Sequence, residues 1–333
     1  MRVVELTDVG VDALRVTDRE EGTVGSGLVR LKVKAISLNY RDLYVVKGYM
    51  PVQYPLIPLS DAVGEVVEVG AGVNRVKIGD RAIATYYPDW IDGTIAPYKF
   101  KRDRGGTNDG VAAEYLVVSE AELIKVPDFL SDAEAATLPC AGVTAWSAIT
   151  ESSNIKAGDA VLVQGTGGVS LMALQFAWAA GAETFIISSS DAKLERAKAL
   201  GAHHTINYSH TPGWGKIVSE LTGGRGVDLV VDVAGSTLGE SLVAVANGGH
   251  ISQVGILGGV EASLPIYPLI TKSAHIDGIM SGSRDAAEVM MRAVEIGKIK
   301  PVVDSIFGFS EIPDALKQLD SRNHFGKIVI AVD

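Results

Sequence analysis

The chain has 333 residues, enough for about two domains, and its 47% hydrophobic and 21% charged residues describe an ordinary globular protein. A net charge of −10 argues against nucleic acid or anionic lipid as a partner, and no apolar run is long enough to span a membrane. The opening Met1-Arg2-Val3-Val4-Glu5-Leu6 turns acidic too soon for a signal peptide, and a single cysteine, Cys140, excludes an intrachain disulfide; both suit a reducing cytoplasm.

Residues 1–125 read as β-rich. Leu28–Ile36 is a strand in which Val29, Leu31, Val33 and Ala35 alternate with Arg30, Lys32 and Lys34, and Gly64–Val69 is another. Pro51, Pro55 and Pro58 punctuate the loop between them, and Tyr86–Gly110, without periodicity, is expected to be a surface loop. From about Ala133 strands alternate with helices. Strands are expected at Ala160–Val163, Thr184–Ser188, Thr205–Asn207, Val227–Val233 and His250–Val254. Helices are expected at Leu171–Gly181, Asp191–Leu200, Lys216–Leu221 and Leu238–Ala246. That alternation predicts an α/β fold, a doubly wound parallel sheet over residues 126–265. Residues 266–333 follow with Ile276–Ile279, an amphipathic helix Asp285–Ile296, a short helix Pro313–Leu319 and a last strand Ile328–Val332 expected to rejoin the first domain.

One motif carries chemistry. Gln164-Gly165-Thr166-Gly167-Gly168-Val169-Ser170 follows the apolar run Ala160–Val163 and opens a helix. Glycines there let the backbone approach a dinucleotide pyrophosphate, and the helix N-terminus offers N–H groups and the positive end of its dipole. Ser170 stands where a third glycine is usual and keeps that side chain small. A second strand ends about 20 residues past the turn, where the ribose is read. A nicotinamide cofactor is the expected ligand.

Three segments together resemble the medium-chain dehydrogenase/reductase family. They are Asn39-Tyr40-Arg41-Asp42 through Gly64–Gly70 to Lys77-Ile78-Gly79-Asp80-Arg81, then Leu138–Trp146, then the glycine turn running on to Gly201-Ala202 and Ile206-Asn207-Tyr208. The resemblance spans the whole chain in order. It implies a Rossmann cofactor domain between the two parts of a β-rich, GroES-like catalytic domain.

Zinc alcohol dehydrogenases of that family are similar but need Cys or His where Asn39 and Tyr40 stand, and a His-Glu pair where Ser60-Asp61 stands; only Cys140 matches a ligand position. None of the six histidines precedes residue 203. Catalytic zinc takes about three protein ligands, so no metal is expected. Without a Lewis acid, a carbonyl must be polarised by hydrogen bonds. That suits hydride transfer to the β-carbon of a quinone or α,β-unsaturated carbonyl, as in the zinc-free quinone oxidoreductase branch that the chain resembles. A zinc-free alcohol dehydrogenase or carbonyl reductase is the alternative; a redox sensor that binds cofactor with little turnover is a second.

Asn39, Tyr40, Arg41 and Ser60 are the candidate catalytic residues. Asn39 either orients a substrate oxygen or caps a helix starting near Arg41. Tyr40 is a candidate proton or hydrogen-bond donor, and Ser60 leaves room in the pocket or hydrogen-bonds. Tyr49 is a further pocket candidate, Asp42 a structural partner for a basic residue, and Cys140 a packing residue. For the cofactor, the resemblance carries over Gly165, Thr166, Gly167, Gly168 and Val169 on the turn and Thr144, Val254, Gly255 and Ser281 toward the nicotinamide. It adds Asn323, with Gly326-Lys327, on the phosphate side. The ribose position falls at Ser188. Ser188-Ser189-Ser190 carries no charge to repel a 2′-phosphate, and Lys193 and Tyr208 stand where relatives grip it, so NADPH is expected over NADH. Family relatives also pair through the nucleotide domain; a homodimer is expected, with Ala262–Tyr267 as the candidate edge and Pro265 weakening it.

Overall fold

Alternation in the first long strand places its apolar face inward. In a computed structural model that describes residues 1–333, β1 (Arg2–Leu6), β2 (Leu14–Asp18) and β3 (Leu28–Ser37) precede α1 (Tyr40–Val46). Val29, Leu31, Val33 and Ala35 of β3 are buried. β4 (Asp61–Val69), β5 (Arg81–Ala84), β6 (Tyr115–Ser119), β7 (Leu123–Lys125), α2 (Asp132–Ala135) and α3 (Val143–Thr150) follow.

The chain divides into two compact units, residues 1–143 with 283–333, and residues 144–282. The expected boundaries were 126 and 265. They move because residues 126–143 stay with the β-rich unit, where the Cys140 N–H binds Asp61, while the strand after residue 265 completes the nucleotide sheet.

In the second unit come β8 (Ala160–Gln164), α4 (Gly168–Ala179), β9 (Glu183–Ser188), α5 (Asp191–Lys198), β10 (His204–Asn207) and α6 (Trp214–Leu221). They continue through β11 (Val227–Asp232), α7 (Leu238–Ala244), β12 (Val245–Gln253), α8 (Ile266–Lys272) and β13 (His275–Gly278). The strands are parallel in the order β10-β9-β8-β11-β12-β13. This is the Rossmann order, with its reversal between β8 and β11, where ligands of such sheets bind. The near-continuous apolar run of β8, buried at every position, is what a strand covered on both faces requires. Residues 262–267 form no strand: Pro265 caps α8, which begins at Ile266. The open edges are β10 and β13 instead.

The chain returns to the first unit through α9 (Arg284–Gly297), β14 (Val303–Gly308), α10 (Ile312–Ser321) and β15 (Lys327–Ala331). As expected, the last strand rejoins the first domain, β15 pairing antiparallel with β3 through Val329–Ser37, Ile330–Ile36 and Ala331–Ala35. The segment 86–110 is only in part the surface loop expected: residues 92–95, 97–98, 100–102 and 107–109 are exposed, and the remainder is half-buried or buried. Tyr86, Tyr87, Trp90, Lys99, Asp103 and Arg104 are buried, because the polar groups find internal partners: Lys99 Nζ donates to the carbonyls of Asp92 and Thr94, and Arg104 pairs with Glu122.

Candidate cofactor site and buried polar network

In the nucleotide unit the turn after β8 behaves as its glycines demand. Gly165 sits at φ +74°, a conformation costly for any side chain. Gly167 has an ordinary φ of −81°, so the backbone does not require glycine there. A Cβ added at Gly167 meets no protein atom within 4 Å, so the missing side chain leaves open space in front of the turn. Gly168 and Val169 begin α4, whose first-turn N–H groups have no intrahelical acceptor. These features fit a pyrophosphate. Ser170 takes the place of the third glycine by turning its hydroxyl onto the Gln164 carbonyl at 2.7 Å, tying helix to strand.

At the switch point the ends of β8 and β11 are joined by a closed network. Gln164 Nε2 donates to Asp232 Oδ2 (3.0 Å) and meets Ser241 Oγ (2.9 Å), and Ser241 Oγ donates to Asp232 Oδ2 (2.7 Å). The N–H groups of Ala234 and Gly235 donate to Asp232 Oδ1 at 3.0 and 2.9 Å. Every oxygen of this buried carboxylate is satisfied, which holds the β11 exit loop in place. No role for Gln164, Asp232 or Ser241 was expected; the signal for the first two is a polar residue closing each of two apolar strands, and Ser241, inside α7, carries none.

Ser188 ends β9 and is buried, Ser189 is exposed, and Ser190 caps α5, its Oγ accepting from the Lys193 N–H at 3.4 Å. Tyr208 is 42% exposed, and its N–H donates to the Ser188 carbonyl. Asp191, the one carboxylate beside this turn in sequence, accepts from Asn207 Nδ2 at 2.8 Å. The structure also brings together Thr144 and Ser281, both buried, with Thr144 Oγ1 donating to Ser281 Oγ at 3.5 Å. The N–H groups of Val254 and Gly255 are both committed to the Asp232 carbonyl, so a cofactor contact at these residues falls to a carbonyl. Gly255 cannot be replaced, since its Cβ would lie 2.4 Å from the Val233 oxygen.

In the β-rich unit a different network assembles. Asn39 is the N-cap of α1, which starts at Tyr40, one residue earlier than expected. Its backbone N–H donates to Asp42 Oδ2 at 2.8 Å. Its side-chain amide leaves the helix: Nδ2 donates to Ser60 Oγ at 3.0 Å, and Oδ1 accepts from Lys327 Nζ at 2.6 Å. Of the two roles expected for Ser60, hydrogen bonding is the one seen: it is fully buried and its hydroxyl donates to Asp42 Oδ1 at 3.3 Å. Lys327 also donates to the Leu38 carbonyl and is only 5% exposed. Gly326, at φ +93° and with a Cβ that would meet the Val302 oxygen at 2.3 Å, turns the chain so that this lysine enters the unit. Lys327 is therefore an internal cation of the β-rich unit, not the phosphate-side residue that the resemblance implied. Its signal was a lysine at the head of the apolar run Ile328-Val329-Ile330.

Leu59, just before Ser60, is held at φ +71°, which strains a bulky residue. Gly105 and Gly110 close over it, each leaving no room for a Cβ against the Leu59 backbone. Asp61 next to it is fully buried. One oxygen accepts from the Cys140 N–H at 3.0 Å, while Oδ1 has no donor. Desolvation pushes its pKa up to about 7, against the opposing pull of Lys327 and the Asn39 amide. Desolvation, with the Asp61 charge, also pushes the Cys140 thiol up to about 12, so the sulfur is a neutral packing group against Tyr86, Tyr87 and Trp90. Lys327 is shifted downward by its own burial.

Arg41 pairs with Asp103, donates to the Arg104 carbonyl at 2.9 Å, approaches Asp42 at 3.4 Å and stacks over the Tyr86 ring. Its role is to anchor the 86–110 segment. Tyr40 Oη accepts from Arg322 at 2.7 Å. Tyr49 is 71% exposed and packs only edge-on against Tyr44, which removes it as a pocket wall of this unit. Asn323 is exposed in the turn after α10.

Nowhere do three Cys, His, Asp or Glu side chains converge in a way that holds a metal ion. Beside Asn39 the available groups are an unionised thiol, two carboxylates and an ammonium. None of them is an imidazole, and they do not gather into a set of three ligands.

Comparison with known proteins places the whole chain. Residues 25–128 match the alcohol dehydrogenase GroES-like domain, and residues 168–295 match a family described as zinc-binding dehydrogenase. A zinc-type alcohol dehydrogenase-like protein of Schizosaccharomyces pombe is 40% identical over 97% of this chain and 96% of its own. An acryloyl-coenzyme A reductase of Metallosphaera sedula is 32% identical over 92% of each. The crystal structure of a putative alcohol dehydrogenase from Sinorhizobium meliloti superposes with a TM-score of 0.94 at 42% identity, covering 99% of this chain and 98% of that one. With a GroES-like unit, a Rossmann sheet in the 3-2-1-4-5-6 order and relatives along its full length, the chain belongs to the medium-chain dehydrogenase/reductase family of nicotinamide-dependent oxidoreductases.

Proposed function

We propose that this protein, without zinc, transfers hydride from NADPH to a quinone or an α,β-unsaturated carbonyl compound. The observation that carries the reading is that Asn39 and Ser60, at positions where the resemblance puts zinc ligands, are hydrogen-bonded to each other, to Lys327 and to Asp42 instead. Bound at the glycine turn, NADPH supplies the hydride. The Gly165–Val169 turn and the α4 N-terminus hold its pyrophosphate, Thr144 and Ser281 its nicotinamide end. Enolate charge developing on the substrate oxygen calls for donors in a dry setting, a reading supported by the burial of Lys327 and by its one N–H beyond those given to Leu38 and Asn39. The acryloyl-coenzyme A reductase among the relatives is in line with conjugate reduction.

NADPH preference is supported by the uncharged Ser188–Ser190 turn and by the engagement of Asp191 with Asn207. A homodimer is supported by β13, which ends the sheet, and by the exposed Ile266, Tyr267 and Ile270 of α8; light scattering is expected to give about 70 kDa, twice the 35.0 kDa chain mass, and a monomer mass at micromolar concentration overturns it. The thiol of Cys140, free of any disulfide, suits the cytoplasm.

A second reading, a zinc-free alcohol dehydrogenase or carbonyl reductase, is favoured by the alcohol dehydrogenase names of several relatives. Following NADPH oxidation with quinones, enones and simple ketones decides between them. Turnover of quinones or enones is expected; turnover of ketones alone supports the second reading. Tight NADPH binding without any turnover points to a cofactor-binding sensor and overturns both.

A further inference from the structure

We propose that Lys327 is a positioning residue of the reaction centre, whose buried ammonium fixes the direction of the hydrogen-bond chain through Asn39 and Ser60. This deepens the function proposed above and rests on it.

An asparagine amide has one acceptor end and one donor end, and density or packing alone seldom tells them apart. An ammonium can only donate. Lys327 Nζ lies 2.6 Å from Asn39 Oδ1 and Asn39 Nδ2 faces Ser60 Oγ at 3.0 Å, the orientation that an ammonium at Lys327 calls for. Ser60, having accepted there, sends its own proton to Asp42 Oδ1 at 3.3 Å. The chain therefore runs one way, Lys327 to Asn39 to Ser60 to Asp42. Asp42 is in turn held by the Asn39 backbone N–H and by Arg41.

Two features support a role for this network beyond structure. Lys327 has three N–H groups and two protein acceptors, the Leu38 carbonyl and Asn39 Oδ1. Asp61, fully buried and electrostatically coupled to Lys327, has an oxygen without any donor. A buried donor and a buried acceptor are thus both left with spare capacity beside the strained Leu59–Ser60 backbone, where a purely structural network closes on itself. The charged or titratable groups facing this cluster are Asp42, Asp61, Arg41, Cys140 and Lys327.

The test compares Lys327→Met, Lys327→Arg and the double variant Lys327→Met with Asp61→Asn, which removes the carboxylate left without its cation. For each, kcat, KM for the substrate identified by the screen above, the NADPH dissociation constant by fluorescence, and the pH profile of kcat/KM are measured. Lys327→Met is expected to lower kcat at least tenfold, to leave NADPH affinity within twofold, and to move the inflection near pH 7 upward, since Asp61 loses its opposite charge. Lys327→Arg is expected to recover part of the rate. The double variant is expected to fold as the wild type does without regaining kcat, and it carries the test if Lys327→Met does not fold. Three outcomes overturn the proposal: kcat unchanged within twofold, a tenfold weaker NADPH complex at unchanged kcat, or full kcat in the double variant. A wild-type enzyme that turns over no substrate sinks the proposed function itself, which separates the two failures.

Discussion

Asp232 in the nucleotide unit and Asp61 in the β-rich unit are both buried carboxylates at the start or end of a strand, yet they are built in opposite ways. Asp232 receives two backbone N–H groups on one oxygen and two side-chain donors on the other. Asp61 receives a single N–H, keeps one oxygen without a donor, and has its proton affinity raised by burial. The first arrangement spends its polarity on rigidity and holds the cofactor loop in one conformation. The second keeps unspent hydrogen-bonding capacity beside a strained backbone. The difference teaches that burial alone does not decide how a carboxylate serves the fold: Asp232 is satisfied on both oxygens, whereas Asp61 keeps one oxygen without a donor.

The largest effect of a substitution at a single pH is expected from breaking the satisfied side. Asp232→Ala leaves Gln164, Ser241 and two backbone N–H groups without an acceptor, which is expected to cost about 3 kcal/mol or more of stability. Denaturant unfolding monitored together with cofactor binding checks this; a loss under about 1 kcal/mol would mean the network is incidental.

On the unsatisfied side the sign of the pH dependence is the test. Asp61 binds its proton more tightly in the fold than in the unfolded chain, so the stability it contributes is full below about pH 4 and is lost as pH rises through about 7. Relative to Asp61→Asn, the wild type is expected to lose up to about 4 kcal/mol between pH 4 and pH 8. Unfolding free energies measured at both pH values for the two proteins decide it, and parallel curves contradict the assignment.

A smaller and more selective effect sharpens the comparison at the ribose. Lys193→Ala is expected to weaken NADPH by about 1.5–3 kcal/mol, roughly 10- to 150-fold, with NADH little changed. Equal weakening of both cofactors, or a wild-type preference for NADH, shows that Ser188-Ser189-Ser190 does not read a 2′-phosphate.

The smallest expected effect is none at all. Because Asn39 and Ser60 hold Lys327 and Asp42 rather than a metal, chelator treatment is expected to leave activity unchanged and elemental analysis to find no stoichiometric zinc. One zinc per chain, with activity lost to chelator, breaks the zinc-free mechanism.

What the sequence by itself determined is local and periodic. The two-residue alternation of β3 and the apolar run ending at Gln164 announced strands, since both report which face is buried. The glycine turn announced a phosphate site, since its glycines answer to backbone conformation and to the approach of a ligand, both of which act within a few residues. Only the tertiary structure decided the rest. Lys327 meets Asn39 across 288 positions and Cys140 meets Asp61 across 79, and no local preference encodes contacts closed by sheet pairing. The 86–110 segment looked like a solvated loop because its charges are many. Asp103 within it is nevertheless buried, because Arg41, reached from 62 residues away, pairs with it, a partner that composition cannot reveal. A buried charge is stable only where its partner is brought to it, so which polar residues lie inside is a property of the fold and not of the segment that carries them.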